Sequence, residues 1–266
     1  MVDISKAFEK IAGKTVESAP ETKKDTSTEK MDLVVQEKLD DHLYMYHMPY
    51  TYIAEQIRKV RTYMFHTPEW SDKKIFMVTS SLPTEGKSLI SANIAISIAR
   101  GEDQNVILID CDLRRPSLHK LFNYSITNGV AAILQGRKTL DECLLKTPVE
   151  RLSVLPANAE PPSNPAELLE TKYMSMMFEE IKDKFPGSYI IVDTPPVQAT
   201  VDPKVISKYV DGIIFVSRYR YTRQEDYRAA IAVLPKEKIV GTVLNAVDVL
   251  PAAKYKYKKY NYHKYY

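Results

Sequence analysis

Six short, nearly continuous apolar runs constrain the fold of this chain more than any other feature of its sequence. They cover residues 75–78, 106–109, 152–155, 189–192, 213–216 and 239–244. Runs of this kind are typical of strands buried on both faces of a parallel sheet. Helical patterns separate them, and residues 88–100 are apolar on nearly every side, which predicts a buried helix. The alternation predicts a doubly wound α/β domain, with a mainly parallel sheet flanked by helices and ligands at the carboxyl ends of the strands.

One helix start is recognisable from three residues. Asn164, Pro165 and Glu167 have the order of an N-cap, a proline at the first helical position and a capping-box glutamate. The helix that they open is predicted to run to about residue 185.

The two ends of the chain differ from its centre in composition. Residues 1–14 place apolar side chains at helical spacing opposite lysines, which predicts a short amphipathic helix, either a docking element or a frayed terminus. Residues 15–30 are polar and charged and predict a flexible linker. We therefore predict an N-terminal extension (1–48), a folded P-loop domain (49–250) and a flexible tyrosine-rich tail (251–266).

A phosphate-binding loop lies between the first apolar run and the buried helix. Gly86, Lys87 and Ser88 match the end of the pattern G-x-x-x-x-G-K-[ST], whereas Ser81 stands in place of its first glycine. Backbone N–H groups at the helix start are expected to cradle phosphate oxygens, Lys87 to reach the β- and γ-phosphates, and the Ser88 hydroxyl to ligate Mg²⁺. The predicted nucleotide-binding residues of the loop are Thr84, Glu85, Gly86, Lys87, Ser88 and Leu89.

Carboxylates follow two of the apolar runs where the predicted strands end. Asp110 and Asp112 follow the second run, and Asp193 follows the fourth. Because the carboxyl ends of parallel strands meet at one edge of a sheet, all three are expected beside the phosphate-binding loop, where Mg²⁺ would bind. The alternative for any single aspartate at such a position is a helix N-cap.

The last thirteen residues hold six of the chain's 18 tyrosines, together with five lysines and no carboxylate. These tyrosines are Tyr255, Tyr257, Tyr260, Tyr262, Tyr265 and Tyr266. Such a segment cannot build a core, so we expect a mobile tail whose phenols are accessible phosphoryl acceptors. The alternative is a basic, aromatic tail that binds nucleic acid or a membrane, and the phosphate-binding loop upstream favours the acceptors.

Charge and composition narrow the class of protein. The chain has 37 lysines and arginines against 34 acidic residues, and without the five tail lysines 32 basic residues remain. The folded body is therefore slightly acidic, and nucleic-acid binding by it is not expected. Two cysteines without metal-type spacing fit a reducing cytosol, and no apolar run approaches the ~20 residues that span a bilayer.

Together these motifs resemble the bacterial tyrosine kinases (BY-kinases) that control capsule and exopolysaccharide export, over about residues 49–266. The phosphate-binding loop of that family, S-x-x-P-x-E-G-K-S-T, is matched by residues 80–88, with Leu89 in place of the final threonine. Its D-x-D-x-R motif is matched by residues 107–114, and its second strand-end aspartate by residues 190–193. The family also ends in a tyrosine cluster like the tail of this chain.

The resemblance extends to the segment ahead of the loop and implies an assembly. The family motif E-x-x-R-x-x-R is matched by Glu55, Arg58 and Arg61. It implies a homo-oligomeric ring, an octamer by resemblance, in which the glutamate of one subunit meets the arginines of the next. The spacing alone puts the three side chains on one helix face, and the alternative is a solvated charged face.

The resemblance also implies cofactors and residue roles. The cofactors are ATP and Mg²⁺, with Lys87 on the phosphates and Asp110 as the base or orienting group for the acceptor hydroxyl. Asn245, after the last apolar run, resembles the asparagine that contacts adenine, although a turn-forming asparagine fits the position as well. The residues that would hold Mg²⁺, partly through water, are Ser88, Asp112 and Asp193.

The function implied by the resemblance is an ATP-dependent protein-tyrosine autokinase that phosphorylates its tail in trans and regulates polysaccharide synthesis or export. It implies a cytoplasmic protein held at the inner face of the membrane by an adaptor of the polysaccharide co-polymerase type, and a cognate tyrosine phosphatase. Two alternatives are a ParA/MinD-like ATPase and a nucleotide-dependent scaffold of a membrane complex. The ATPase is disfavoured because the lysine that such proteins carry early in the loop is missing from residues 81–84.

Overall fold

The computed structural model describes residues 38–101, 104–125, 128–158 and 160–248, which contain a sheet of seven strands. The strands are β1 (Ile75–Ser80), β2 (Val106–Asp110), β3 (Leu145–Lys146), β4 (Leu152–Leu155), β5 (Tyr189–Asp193), β6 (Gly212–Arg218) and β7 (Ile239–Asn245). Their order across the sheet is β3-β4-β2-β5-β1-β6-β7, and every neighbouring pair is parallel except β3 with β4. All six predicted strands and the doubly wound, mainly parallel α/β class are confirmed. The prediction missed β3, whose two residues are too few for a periodic signal.

Helices pack on both faces of the sheet. They are α1 (Tyr44–His47), α2 (Tyr52–His66), α3 (Lys87–Gly101), α4 (Leu118–Phe122), α5 (Val130–Leu134), α6 (Leu140–Cys143), α7 (Pro165–Leu169), α8 (Lys172–Lys184), α9 (Asp202–Ile206) and α10 (Gln224–Ala232). Along β1, Phe76 and Val78 belong to one apolar cluster and Ile75 and Met77 to another, so both faces of this strand are buried. Helix α3 is buried along nearly its whole length, as predicted.

The single helix predicted from residue 165 to about residue 185 is wrong in its continuity. It begins where predicted, but it is divided into α7 and α8 by Thr171, which takes an extended backbone (φ −72°, ψ 158°). The Thr171 hydroxyl donates to the Leu168 carbonyl oxygen at 2.8 Å, which offers the end of α7 an alternative to the next helical hydrogen bond. The Asn164 side chain makes no cap, because it donates to Glu167 Oε2 at 2.8 Å.

The folded domain starts before residue 49, within the segment assigned to the N-terminal extension. Leu43 and Met45 are buried in the core of the domain. The Met45 N–H donates to Asn93 Oδ1 at 3.0 Å, and Asn93 Nδ2 donates to the His42 carbonyl oxygen at 3.2 Å. The four-residue α1 gives too short a pattern for the sequence to mark this boundary.

Three predicted segments lie outside the described residues: the amphipathic helix (1–14), the linker (15–30) and the tyrosine-rich tail (251–266). Within the part of the chain that the structure does describe, no helix combines the length and apolar character needed to cross a membrane.

The register of the central strands gathers the predicted site residues at one edge of the sheet. Asp110, the last residue of β2, is the register partner of Asp193, the last residue of β5. Val78 of β1 is the partner of Asp193 on its other side, two residues before that strand ends and the phosphate-binding loop begins. Two carboxylates and the loop are therefore neighbours because of strand pairing alone.

Candidate active site

The phosphate-binding loop joins β1 to α3 through two residues with left-handed backbone. Thr84 has φ 63° and Gly86 has φ 91°. A Cβ atom at residue 86 would lie 2.1 Å from Asn245 Nδ2, so both the backbone conformation and the space require glycine. The loop therefore has a defined shape and leads directly into the N-terminus of α3, where N–H groups are available to an anion.

Glu85 fixes the loop from inside the protein. Its side chain is fully buried, Oε2 accepts a hydrogen bond from the Leu82 N–H at 2.6 Å, and Oε1 accepts one from the Thr222 hydroxyl. The carboxylate is therefore used to hold the loop, and the backbone N–H of Glu85 is the part left for a nucleotide.

The last residues of β6 and β7 also hold the loop. Arg218 Nη1 donates to the Thr84 carbonyl oxygen at 3.1 Å. Asn245 Nδ2 donates to the Glu85 carbonyl oxygen at 2.8 Å, and Asn245 Oδ1 accepts from the Ala246 N–H at 2.8 Å. The adenine contact of Asn245 stays a prediction, and the contacts present are those of a residue that braces the loop.

Lys87 lies against the carboxylates. Its Nζ is 3.1 Å from Asp112 Oδ2, and the two side chains are only 13% and 4% exposed. Burial lowers the pKa of Lys87, but the charges of the aspartates, Asp193 first, outweigh burial and raise the pKa above its ordinary value. Lys87 is therefore a cation at neutral pH and suits the binding of β- and γ-phosphates.

The two carboxylate oxygens of Asp193 have different surroundings. The side chain is fully buried, and Oδ1 accepts from Ser91 Oγ at 3.1 Å, whereas Oδ2 has no hydrogen-bond partner among the described residues. Burial raises the pKa of Asp193, and the charge of Lys87 only partly offsets that rise. A buried oxygen of this kind is costly unless a cation or water reaches it.

Asp110 is held by backbone N–H groups on both of its carboxylate oxygens. It is fully buried, Oδ1 accepts from the Asp112 N–H at 3.1 Å, and Oδ2 accepts from the N–H groups of Ser117 and Leu118 at 3.3 Å each. Burial, followed by the charges of Asp193 and Asp112, raises its pKa. Asp110 thus shapes the segment between β2 and α4. Its contacts with the N–H groups at the start of α4 resemble those of a helix cap, the alternative considered above, and its role toward an acceptor hydroxyl stays a prediction.

A cleft of about 600 Å³ opens beside these groups. Its walls come from the phosphate-binding loop, the segment after β2 and the segment after β5. The predicted site residues in its wall are Thr84, Gly86, Lys87, Ser88, Leu89 and Asp112. Glu85, Asp110, Asp193 and Asn245 support this wall from behind.

The donor set fits Mg²⁺ bound together with phosphates. Among the residues that the structure describes, no three His, Cys, Asp or Glu side chains come together as a metal site. Mg²⁺ is commonly held by one or two carboxylates, substrate phosphates and waters. The unsatisfied Oδ2 of Asp193, and three carboxylates close to one lysine, are what a divalent cation would compensate.

Mg²⁺·ADP is expected to stabilise the protein more at about pH 8 than at about pH 6. The folded-state pKa values of Asp193 and Asp110 are raised to about 6 and about 8. Their contribution to stability is therefore present below the ordinary carboxylate pKa of ~3.9 and is lost as pH rises through the raised values. Bound Mg²⁺ favours the ionised carboxylates, so its binding restores the stability that the protein loses as pH rises.

Thermal unfolding with and without Mg²⁺·ADP measures this effect. The midpoint of the free protein should fall by several degrees between the two pH values, and the fall should be smaller in Asp110→Asn. A free-protein midpoint that rises over this interval would contradict the assigned carboxylate cluster.

Glu55, Arg58 and Arg61 lie on α2 and already make contacts within the chain. Arg58 Nη1 donates to Glu55 Oε2 at 3.0 Å, and Arg58 Nη2 donates to the Pro49 carbonyl oxygen at 2.5 Å. Arg61 Nη1 donates to the carbonyl oxygen of Ser97 on α3 at 2.6 Å. The Glu55 and Arg58 side chains are still 40% and 28% exposed, so a neighbouring subunit can reach them.

Replacing Glu55, Arg58 and Arg61 together by alanine is expected to shift the protein toward monomer, because charges disappear from both sides of a repeated head-to-tail contact. Glu55→Ala alone should act in the same direction with less loss of stability, since Arg61 also holds α2 on α3. Light scattering at high protein concentration gives the mass, with Lys59→Ala, an exposed lysine on the same helix, as the control. If the folded triple variant has the same mass as the wild type, the motif is only a solvent-exposed charged face and does not join subunits.

Comparison with known proteins identifies the family. A family model described as an AAA domain matches residues 74–222. The tyrosine-protein kinase YwqD of Bacillus subtilis is 32% identical over 206 residues, which cover 77% of this chain and 85% of that protein. The chain belongs to the bacterial tyrosine-protein kinases. The solved kinase domain of the Escherichia coli tyrosine kinase ETK is 27% identical to this BY-kinase, with a TM-score of 0.69 over 78% of this chain and 82% of that one.

The fold is shared more widely than the family. The septum site-determining protein MinD of Pyrococcus horikoshii, solved with Mg-ADP, is 19% identical and has a TM-score of 0.53 over 69% of this chain and 76% of that chain. An identity this low shows a common fold alone. The predicted P-loop fold of the ParA/MinD-like type is confirmed by it.

Several contacts of the site were missed by the sequence prediction. Arg218 and Thr222 contact the loop across sequence separations of 134 and 137 residues, and no local pattern marks either. Ser91 holds Asp193, and its position three residues after Ser88 on α3 was the only available signal.

Proposed function

We propose that this BY-kinase is an ATP-dependent autokinase that phosphorylates the tyrosines of its own C-terminal tail. The observation that carries the proposal is the Lys87–Asp112 pair, which lies in the wall of a cleft at a phosphate-binding loop. The last thirteen residues of the same chain contain six tyrosines and no aspartate or glutamate.

ATP would bind with its phosphates at the N-terminus of α3. Backbone N–H groups of residues 84–88 donate to phosphate oxygens, and Lys87 holds the β- and γ-phosphates. The residues that hold Mg²⁺, partly through water, are Ser88, Asp112 and Asp193. When bound, Mg²⁺ neutralises charge that develops on the β- and γ-phosphate oxygens. Asn245 lies next to Gly86 and is the residue we assign to the adenine side of the nucleotide.

The acceptor phenol keeps its proton at neutral pH, because its unperturbed pKa is about 10. We assign this proton to Asp110, which bound Mg²⁺ would keep ionised and able to accept it, since burial and the neighbouring carboxylates otherwise raise the pKa of Asp110 to about 8. Its Oδ1 accepts one backbone N–H and keeps a lone pair for the phenolic proton, whereas Oδ2 already accepts two N–H groups. Asp110 is buried in the nucleotide-free arrangement, so the assignment requires the segment between β2 and α4 to shift when the acceptor binds.

Asparagine substitutions separate the roles of the three carboxylates. Asp112→Asn and Asp193→Asn should weaken the binding of Mg²⁺·ATP, since a neutral amide holds a divalent cation poorly. Asp110→Asn should lower the transfer rate more than it lowers nucleotide affinity. Affinity and single-turnover rate are measured separately for each variant, and equal losses in both for all three would refute the division of roles.

The tail reaches a neighbouring subunit in our proposal, as an acceptor in trans. It carries five lysines, whereas the site is built around three aspartates, so an unmodified tail is attracted to it. A ring joined through Glu55, Arg58 and Arg61 would present each tail to the next cleft. We propose that a membrane adaptor holds and activates this ring at the inner face of the membrane, that a tyrosine phosphatase resets it, and that its assembly state regulates capsular or exopolysaccharide synthesis or export.

A short incubation with ATP and Mg²⁺ tests the proposed activity against its two alternatives. The autokinase gives ADP together with phosphotyrosine on the tail. A ParA/MinD-like ATPase would give ADP and inorganic phosphate without phosphotyrosine. A nucleotide-dependent scaffold would give neither product, and either of these two results would overturn the proposal.

A further inference from the structure

Two arginines line the cleft, and they differ in what they contact. Arg114 Nε is 3.1 Å from Asp202 Oδ2. Asp202 is fully buried, and its Oδ1 has no hydrogen-bond partner among the described residues, so Arg114 cannot move away without leaving a buried carboxylate unpaired. Arg114 therefore ties the segment after β2 to the start of α9 and has a structural role.

Arg115, unlike Arg114, makes no ion pair with a described residue. Its side chain is exposed at the cleft, and within residues 38–101, 104–125, 128–158 and 160–248 its guanidinium makes no hydrogen bond or ion pair. Its backbone N–H donates to Asp112 Oδ1 at 3.0 Å, and the other oxygen of Asp112 is the partner of Lys87. The side chain of Arg115 thus begins beside the pair proposed to hold Mg²⁺ and the phosphates, and it leaves a planar set of donors available to a ligand in the cleft.

The charges of the two substrates, the tail and the nucleotide, indicate which of them the guanidinium of Arg115 contacts. The tail brings five lysines and no carboxylate, so an arginine beside it would repel it. The nucleotide brings phosphate oxygens, and a guanidinium matches phosphate geometry well. We propose that Arg115 contacts the γ-phosphoryl group during its transfer and stabilises the charge on its oxygens, an inference that rests on the proposed kinase activity.

In the step concerned, a bond forms between the tyrosine oxygen and the γ-phosphorus while the bond from that phosphorus to the β,γ-bridging oxygen breaks. The electron pair of the broken bond stays on ADP, and the phenolic proton goes to Asp110. Negative charge is spread over the γ-phosphoryl oxygens and the leaving oxygen in this transition state. Arg115 supplies a second positive side chain, besides that of Lys87, when the negative charge on the transferring phosphoryl group is most dispersed.

The test compares the binding of Mg²⁺·ADP with the binding of Mg²⁺·ADP plus aluminium fluoride, which mimics the group in transfer. For Arg115→Gln we expect unchanged affinity for Mg²⁺·ADP, about 100-fold weaker binding with aluminium fluoride, and a transfer rate lowered by about the same factor. Arg115→Lys should recover part of both losses, because it restores a charge without the planar donors. Arg228→Gln, which removes an exposed arginine of α10 outside the cleft wall, serves as the matched control and should behave as wild type.

Two results would overturn the assignment. Equal weakening of both complexes would make Arg115 a ground-state or structural residue, and a lowered transfer rate with unchanged aluminium fluoride binding would place it on the acceptor. Unfolding midpoints of each variant show whether the fold is retained, and Arg115→Lys keeps the comparison valid if Arg115→Gln is unstable. Since aluminium fluoride binding does not depend on tyrosine transfer, a failure of the kinase proposal and a failure of this one give different results.

Discussion

Lys87→Met is expected to abolish tyrosine phosphorylation, by about 1,000-fold or more, while the domain stays folded. The substitution removes the ammonium group that would hold the β- and γ-phosphates, and it keeps a side chain of similar length. It also removes the cation 3.1 Å from Asp112. The pKa of Asp193, which the charge of Lys87 holds down, would then rise further, so that a proton bound by Asp193 replaces the lost charge and the unfolding midpoint changes by only a few degrees.

Circular dichroism and a phosphotyrosine assay on the same preparation separate loss of activity from loss of structure. Lys138→Met is the matched control, because Lys138 forms an exposed pair with Glu142 at 2.7 Å and does not line the cleft. Surface pairs of this kind contribute little, so the control should keep wild-type activity and stability. Wild-type phosphorylation by Lys87→Met would mean that the phosphate site has been assigned wrongly.

Changing the six tail tyrosines to phenylalanine is expected to remove most autophosphorylation and to leave nucleotide binding and assembly intact. Phenylalanine keeps the ring and leaves the five tail lysines in place, so only the acceptor hydroxyl is lost. Titration with a fluorescent ADP and light scattering report the two properties that should persist. The matched control changes three tyrosines of the described body, Tyr44, Tyr46 and Tyr173, to phenylalanine, and it should remain an active autokinase.

The charge of the tail predicts how this reaction feeds back on assembly. Each phosphate adds about −1.5 to −2 charges at neutral pH, so about three phosphates already neutralise the five lysines. A fully phosphorylated tail would be repelled by the aspartates of the site and by the nucleotide phosphates. We therefore expect the unphosphorylated protein to assemble and the phosphorylated protein to dissociate, and a larger mass after phosphorylation would contradict this.

The sheet and the phosphate-binding loop were predictable because their signals are local. Five of the six predicted strands are buried on both faces or nearly so, which leaves a continuous apolar run in the sequence. The sixth, β7, lies at the edge of the sheet and buries only Val240, although its run is also mainly apolar. The loop lies between one such run and a helix that is buried along nearly its whole length, and that context compensates for the serine at residue 81. The positions of Asp110 and Asp193 at one sheet edge followed from the same logic, since parallel strands end together.

What the sequence did not predict depends on contacts between distant segments. Nothing near Glu85 indicates that its carboxylate is bound by Thr222, and nothing near Arg114 indicates a pair with Asp202. No pattern in the sequence indicates that Asp110 is fully buried. Its burial depends on how the chain turns back after β2 and brings the N–H groups of residues 117 and 118 to its carboxylate. Which of two aspartates two residues apart faces the cleft is decided by that turn.

One mixing experiment tests most directly whether this chain is an autokinase that acts in trans. A Lys87→Met chain with an intact tail is combined with a chain that has a wild-type site but phenylalanine at all six tail positions, and ATP and Mg²⁺ are added. Neither chain can modify its own tail. We expect phosphotyrosine on the tail of the Lys87→Met chain, at rates that rise with the concentration of the active partner. No phosphotyrosine in the mixture, or phosphotyrosine confined to body residues such as Tyr44, Tyr46 and Tyr173, would contradict the account.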